Sequence, residues 1–243
     1  MNEVISEGYA IDVRDLTKSY GRVRVIDKLD LIVRWNEVVV LLGPNGSGKT
    51  TLLKMLATLT RADQGTIRLC GHSLAHDAAR LRRLIGVVTH DPMVYGDLTG
   101  EENLRFHARL FGLDEIEGRI AHVADIVGMT ATLRQKTGTL SHGMQKRLSI
   151  ARALLHDPPI LLLDEPETGL DQNALVMLER LVKEWSGQGR VVLMATHNLD
   201  RALAIGSRVV LLARGTVAYE QSLEAVGADL VRKAYFEHTR ERL

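Results

Sequence analysis

The chain of 243 residues has one cysteine, almost no excess of either charge and no long apolar run, and each shortage excludes something. Cys70 alone cannot close an internal disulfide, so a reducing compartment suits the chain better than a secreted one; the residue itself reads as a small apolar member of a strand. The charges balance at 31 basic against 30 acidic, so no overall field marks the chain as a nucleic-acid binder or polyanion carrier. No apolar stretch approaches the roughly 18 residues needed to span a bilayer, and Met1-Asn2-Glu3-Val4 lacks the basic-then-apolar order of a signal peptide. Any membrane role must therefore come through a partner. Internal repeats, low-complexity segments and an interdomain linker are also missing. What is present is enough apolar material, 45% of residues, for one domain, with or without a subdomain, that should fold alone.

Short β-like segments come first, Ala10-Ile11-Asp12-Val13 and Leu29 to Val33, with breaks at Tyr20-Gly21 and Trp35-Asn36-Glu37. Val38 to Leu42 reads as a buried strand, Gly65 to Gly71 as another with glycine stops, and Ile85 to Val88 as a further one. From Thr99 to His156 the periodicity turns helical: Leu104, His107, Ala108 and Phe111 share one face, and Ile120, Val123, Ala124 and Val127 another. For the aromatics Phe106 and Phe111, core packing is the expected place. The order strand (Ile160 to Leu163), helix (Gln172 to Trp185), strand (Val191 to Ala195) predicts a parallel sheet covered on both faces. A hairpin follows around Arg214-Gly215. The tail from Gln221 to Leu243 reads as an amphipathic surface helix with Leu223, Val226, Leu230 and Tyr235 on its apolar side.

Between the strand ending at Leu42 and a helix beginning near Thr51 stands Gly43-Pro44-Asn45-Gly46-Ser47-Gly48-Lys49-Thr50, a complete G-x-x-x-x-G-K-[ST] loop. A glycine-rich turn could match by accident, but the strand before and the helix after are the context that phosphate binding requires. Glycines let backbone N–H groups curl around phosphate oxygens, the helix N-terminus adds partial positive charge, Lys49 reaches the outer phosphates, and the Thr50 hydroxyl can ligate magnesium. The expectation is a nucleotide triphosphatase.

Ile160-Leu161-Leu162-Leu163-Asp164-Glu165-Pro166 ends a buried strand on two carboxylates, at the edge where open α/β sheets bind ligands. A solvated acidic turn would explain the charge but not its place. Asp164 is suited to hold magnesium and Glu165 to polarise the water that attacks the γ-phosphate. Ala195-Thr196-His197 ends the next strand on an imidazole that can bond the γ-phosphate and orient that water. Leu140-Ser141-His142-Gly143-Met144-Gln145, before a helical stretch, supplies a second anion site.

Together these motifs resemble the ATP-binding subunit of an ABC transporter, from about Ile11 to Tyr219. The resemblance implies an α/β P-loop NTPase core with a mostly parallel sheet, an N-terminal antiparallel β subdomain and a helical insertion. It divides the single domain 1–243 into a core of about 1–90 and 157–220, a helical subdomain of about 91–156 and a tail of about 221–243. The expected cofactors are ATP and Mg2+. The cofactor-binding residues it implies are Tyr20, stacked on adenine, the loop Gly43, Pro44, Asn45, Gly46, Ser47, Gly48, Lys49, Thr50 and Thr51, then His90, Ser141, Gly143 and Asp171. Thr50, Asp164 and His90 are the implied metal contacts, and Glu165, His197 and Lys49 the catalytic ones.

LSHGMQ stands where the family most often has LSGGQ, which completes the ATP site of the opposite subunit. Ser141 and Gly143 match and are carried over as γ-phosphate contacts across a head-to-tail dimer, while His142 and Met144 depart from the pattern and Gln145 receives no ligand role. Asp171, in Gly169-Leu170-Asp171, matches the segment that communicates between subunits. His90 replaces the family's usual glutamine, and its imidazole can still donate or accept a hydrogen bond or bind metal.

The expected partners are a membrane-spanning permease and a second cassette, identical or paired; no nucleic acid is expected. The expected location is cytoplasmic, peripheral on the inner face of the cell membrane. Gly86 to Leu104 and SHGMQKRLSIARALLHDP resemble exporter-type cassettes, including the haem-exporter subunit of cytochrome c maturation. A soluble ABC-type ATPase acting as a switch in an assembly complex is the alternative. Translation factors with two cassettes and repair ATPases with a long coiled coil are disfavoured, because the chain has one cassette and no heptad insertion.

Overall fold

In the computed structural model, which describes residues 8–223 and 228–239, period-2 alternation sorts the central strands between two apolar layers. Val38, Val40 and Leu42 of strand β3 (Val38–Leu42) face one core, and Val39 and Leu41 the other. The same split recurs in β7 (Ile160–Asp164), β8 (Val191–Thr196) and β9 (Arg208–Ala213). Such strands are buried on both faces, which is why they read as continuous Val/Leu runs. Each fully buried Val or Leu stabilises the fold by roughly 1.5–3 kcal/mol.

The six-stranded sheet has the order β10-β9-β3-β8-β7-β6, with β6 at Ile85–Val88 and β10 at Thr216–Ser222. All its pairings are parallel except β10 with β9, the hairpin expected at Arg214-Gly215. A second, antiparallel sheet of order β2-β1-β4-β5 is built from β1 (Ile11–Tyr20), β2 (Val23–Val33), β4 (Gln64–Leu69) and β5 (His72–Ser73). Helix α1 (Lys49–Leu56) lies on the layer shared by the two sheets through Leu52, Leu53, Met55 and Leu56. Because the five parallel strands point one way, their carboxyl ends, and the chain after each, gather at one edge.

No strand falls between β6 and β7. That stretch holds α2's successors α3 (Gly100–Phe111), α4 (Ile116–Ile126) and α5 (His142–Leu154), where α2 is Leu74–Leu81. Thr99 caps α3 in a capping box with Glu102, and Ser141 caps α5 by accepting from the Met144 amide at 3.3 Å. Leu104, Ala108, Val123 and Leu148 join the same core as Val88 and Leu163, so the helical insertion shares its apolar layer with the sheet. On that side also lie α6 (Gln172–Gly187), α7 (Leu199–Ile205) and α8 (Ala228–Thr239).

Three local expectations need correcting. Cys70 follows β4 in a turn with φ +50°, and burial pushes its thiol up to about 11. Phe106 is 40% exposed, edge-on to Tyr95 at 5.4 Å between centroids, because it lies on the face of α3 opposite Leu104 and Ala108. In α8 the buried side chains are Val231 and Ala234, with Tyr235 packed beside them, while Leu230 is 56% exposed. The helical register points Leu230 outward. Val226 and Met1 to Val4 lie outside the described residues.

Candidate active site

The phosphate loop leaves β3 and enters α1 through Gly48, whose φ is +109°. A Cβ there would meet Ile26 Cδ1 at 2.5 Å and the Val25 carbonyl at 3.0 Å, so β2 excludes any side chain. The resulting pocket is lined by Val25, Asn45, Gly46, Lys49, Thr50 and Glu165, among others. Val25 carries no motif and was not legible in the sequence. The first amides of α1 lack intrahelical acceptors and present partial positive charge.

Lys49 is 5% exposed and donates to the carbonyls of Gly43 at 2.7 Å and Pro44 at 3.1 Å. Burial pushes its ammonium below the ordinary value, against the pull of Glu165 and Asp164. The Thr50 hydroxyl donates to Asp164 Oδ1 at 3.1 Å, across 114 residues of chain. Burial pushes the Asp164 carboxyl up, an effect the Thr50 bond opposes. A hydroxyl oxygen and a carboxylate oxygen at this spacing are the hard donors that magnesium prefers, with phosphate and water oxygens to complete its shell.

Since β8 lies between β3 and β7, His197 emerges between the phosphate loop and the paired carboxylates. Its Nδ1 is 2.9 Å from Glu165 Oε1. With Glu165 ionised, Nδ1–H is the donor and Nε2 is left free; the tautomer follows from this partner. Glu165 holds φ +45°, an uncommon conformation for a non-glycine residue, and its amide donates to the Ala195 carbonyl at 2.9 Å. A third carboxylate, Glu167, accepts from the Thr196 hydroxyl, and burial pushes it up. Two residues past the acidic pair, it was a signal that motif reading passed over.

The remaining expected residues lie around this centre. Tyr20 ends β1 with 50% of its surface exposed and the Lys18 ammonium 5.4 Å from its ring centroid. His90 is exposed in the loop after β6, one strand beyond β7. Ser141 and Gly143 do not line the phosphate-loop pocket. They stand at the N-terminus of α5, where His142 packs on Gly169 so closely that a Cβ on Gly169 would strike its ring. Asp171 caps α6, accepting from the Ala174 amide at 2.8 Å, and takes two bonds of 3.0 Å from Arg147 of α5. Arg147 was not singled out in the sequence. Gln145 donates to the Thr137 and Leu140 carbonyls and holds the loop before α5.

A cleft between α1, β6, α3 and α5 contains two half-buried histidines, His107 and His156. His156 bonds the Ile85 carbonyl at 3.1 Å and stacks on Phe111, with centroids 3.8 Å apart. Burial lowers both His107 and His156 from 6.5 to about 4. A depressed imidazole is neutral in the folded chain while the unfolded chain takes up a proton. Its stability is therefore whole above about pH 6.5 and is lost as pH falls towards 4. Between pH 7 and 5 the loss from His156 is expected to be about 2 kcal/mol, and smaller for the more exposed His107. Urea unfolding of the chain and of His156→Gln, which keeps the donor to Ile85, checks it: the gap between the two should shift towards the variant by that amount at pH 5.

The family model described as ABC transporter matches residues 26–168. The Nod factor export ATP-binding protein I of Burkholderia orbicola is 36% identical over 228 residues, 91% of this chain and 75% of that protein. The ABC transporter ATP-binding protein NatA of Bacillus subtilis is 34% identical over 207 residues, 84% of each. Among solved structures, an ATP-binding subunit of an ABC transporter superposes with a TM-score of 0.86 at 29% identity, over 94% of this chain and 98% of that one. A dimeric ATP-binding cassette bound to ADP and Pi in a post-hydrolysis state gives 0.82 at 27% identity, over 88% and 98%.

Fold and matches together define a P-loop ATPase of the cassette type. The chain belongs to the ABC transporter family as an ATP-binding subunit. Among the described residues no helix is long and apolar enough to cross a membrane.

Proposed function

We propose that this chain binds ATP with magnesium, closes head to tail on a second cassette and hydrolyses the ATP to drive export by a separate membrane-spanning partner. The observation that carries the reading is the convergence, at one sheet edge, of Lys49, the Thr50–Asp164 pair and the Glu165–His197 pair. Thr50 and Asp164 would hold magnesium, which when bound neutralises charge on the β- and γ-phosphates. Lys49 exchanges its two carbonyl partners for phosphate oxygens. Glu165 takes the proton of the attacking water, while His197 exchanges Glu165 for the γ-phosphate as the acceptor of its ring N–H. His90 sits at the rim as a contact to water and metal, and Tyr20 offers its exposed ring to adenine.

Ser141 and Gly143, away from the chain's own pocket, serve the nucleotide of the opposing cassette, and Asp171 lies beside that surface. The domain divides as a core of about 1–90 and 157–220, a helical subdomain of about 91–156 and a tail. The absence of any strand between β6 and β7 supports this division.

The permease is assigned to the histidine cleft. Leu59, Met93, Tyr95, Phe106 and Leu110 are each 40–64% exposed, and they border or neighbour it. His107 Nε2, His156 Nδ1 and Arg152 Nε are buried there with no hydrogen-bond partner. A partner segment with an apolar side, a donor for His156 Nδ1 and an acceptor for Arg152 Nε would satisfy both. Bound to such a partner, the subunit would lie on the inner face of the membrane. The relatives reported above are named for Nod factor export and as NatA, which supports export as the reading; the choice of cargo, haem included, is left to the partner.

Purification from native membranes in mild detergent, with mass spectrometry of what accompanies the subunit, tests the assignment. A stoichiometric polytopic membrane protein, lost when Leu59 and Met93 are both changed to Glu, is expected. Recovery only with soluble partners would favour an assembly switch instead.

A further inference from the structure

Lys146 lies in the second turn of α5 with 1% of its surface exposed, among the largest fully buried side chains of the molecule. An ammonium so placed is costly unless it is matched by acceptors and opposite charge. Its Nζ donates to the Thr89 carbonyl at 3.1 Å, the residue just before His90, and the Thr89 hydroxyl closes the same loop on the Asp91 carbonyl at 2.5 Å. Asp164, Glu167, Glu165 and Asp91 all act on the ammonium and oppose the effect of burial. The cation therefore lies within electrostatic reach of the carboxylates and grips the Thr89–Asp91 loop. On the same helix, one turn earlier, are Ser141 and Gly143.

We infer that Lys146 is a positioning residue that links the two ATP sites of the dimer. It holds the Thr89–Asp91 loop to the helix whose N-terminus serves the opposing nucleotide, so that engagement there sets the loop at the chain's own site. The inference rests on the head-to-tail dimer proposed above. Lys146 touches no substrate; it acts through the loop and the carboxylates.

The test uses the full chain with Lys146→Met, which keeps the unbranched apolar stem but loses donor and charge, and Lys146→Arg, which keeps both. For the Met variant, ADP affinity should stay near that of the parent chain, and the melting temperature should fall only modestly, since one carbonyl, that of Thr89, loses its donor. Its kcat should fall about tenfold, the worth of one hydrogen bond to a charged group. Its Hill coefficient for ATP should fall from near 2 to near 1, since two coupled sites set the upper limit. The Arg variant should recover both. Lys146→Gln, polar but one bond too short for the Thr89 carbonyl, should behave as the Met variant does and replaces it where that chain does not fold. Unchanged kcat and Hill coefficient would overturn the inference. So would loss of ADP binding in step with kcat, which marks a general packing role. In a Glu165→Gln background, failure to dimerise with ATP when Lys146 is intact would instead overturn the dimer reading itself.

Discussion

Glu165→Gln is expected to lower ATP turnover by roughly a hundred- to a thousandfold, the range a positioned general base contributes. The carboxamide keeps the shape of the side chain and an oxygen to accept from His197 Nδ1, 2.9 Å away in the parent chain. It loses only the ability to take a proton. ATP binding should survive because Lys49, Thr50 and Asp164 are untouched, so ATP-bound dimer should accumulate. Phosphate release measured beside size-exclusion chromatography with ATP separates the two effects. Turnover at the parent rate would remove Glu165 from the water-activating role.

Lys49→Met is expected to weaken ATP binding about thirtyfold. Two charge-assisted bonds to phosphate would together be worth more, at about 1.5–3 kcal/mol each. In the nucleotide-free chain, however, the ammonium is already bonded to Gly43 and Pro44. Binding exchanges partners rather than creating them, and only the difference appears as affinity. The same substitution leaves two loop carbonyls without their donor, so the melting temperature should fall, corresponding to about 1–3 kcal/mol. Calorimetric titration with ATP and a thermal melt read both. Full ATP affinity in the Met variant would mean that the loop amides alone hold the phosphates.

Much of the site was legible because its chemistry is carried by contiguous residues. A loop of eight residues, an acidic pair closing an apolar strand and a histidine closing the next each sit within a few positions of a strong local signal. The helical insertion was legible from its 3.6-residue period, and the parallel sheet from runs buried on both faces. Where side chains sat on ambiguous faces the reading slipped. Phe106 was expected in the core and Leu230 on the apolar side of the tail, yet both point outward: Phe106 lies off the face that Leu104, Ala108 and Phe111 share, and the buried positions of α8 are Val231 and Ala234.

The sequence by itself determined the phosphate loop, the residues suited to magnesium and water, the order of strands and helices, and the family. These depend on local spacing and on residue chemistry. Tertiary structure alone decided that β8 lies between β3 and β7, which brings His197 to Glu165 over 32 residues of chain. It also decided that Arg147 meets Asp171 over 24 residues and Lys146 meets the Thr89 carbonyl over 57. Such contacts leave no periodic trace. They arise from strand order and from the angle at which α5 packs on β6, and both are settled only when the two apolar layers close around the sheet.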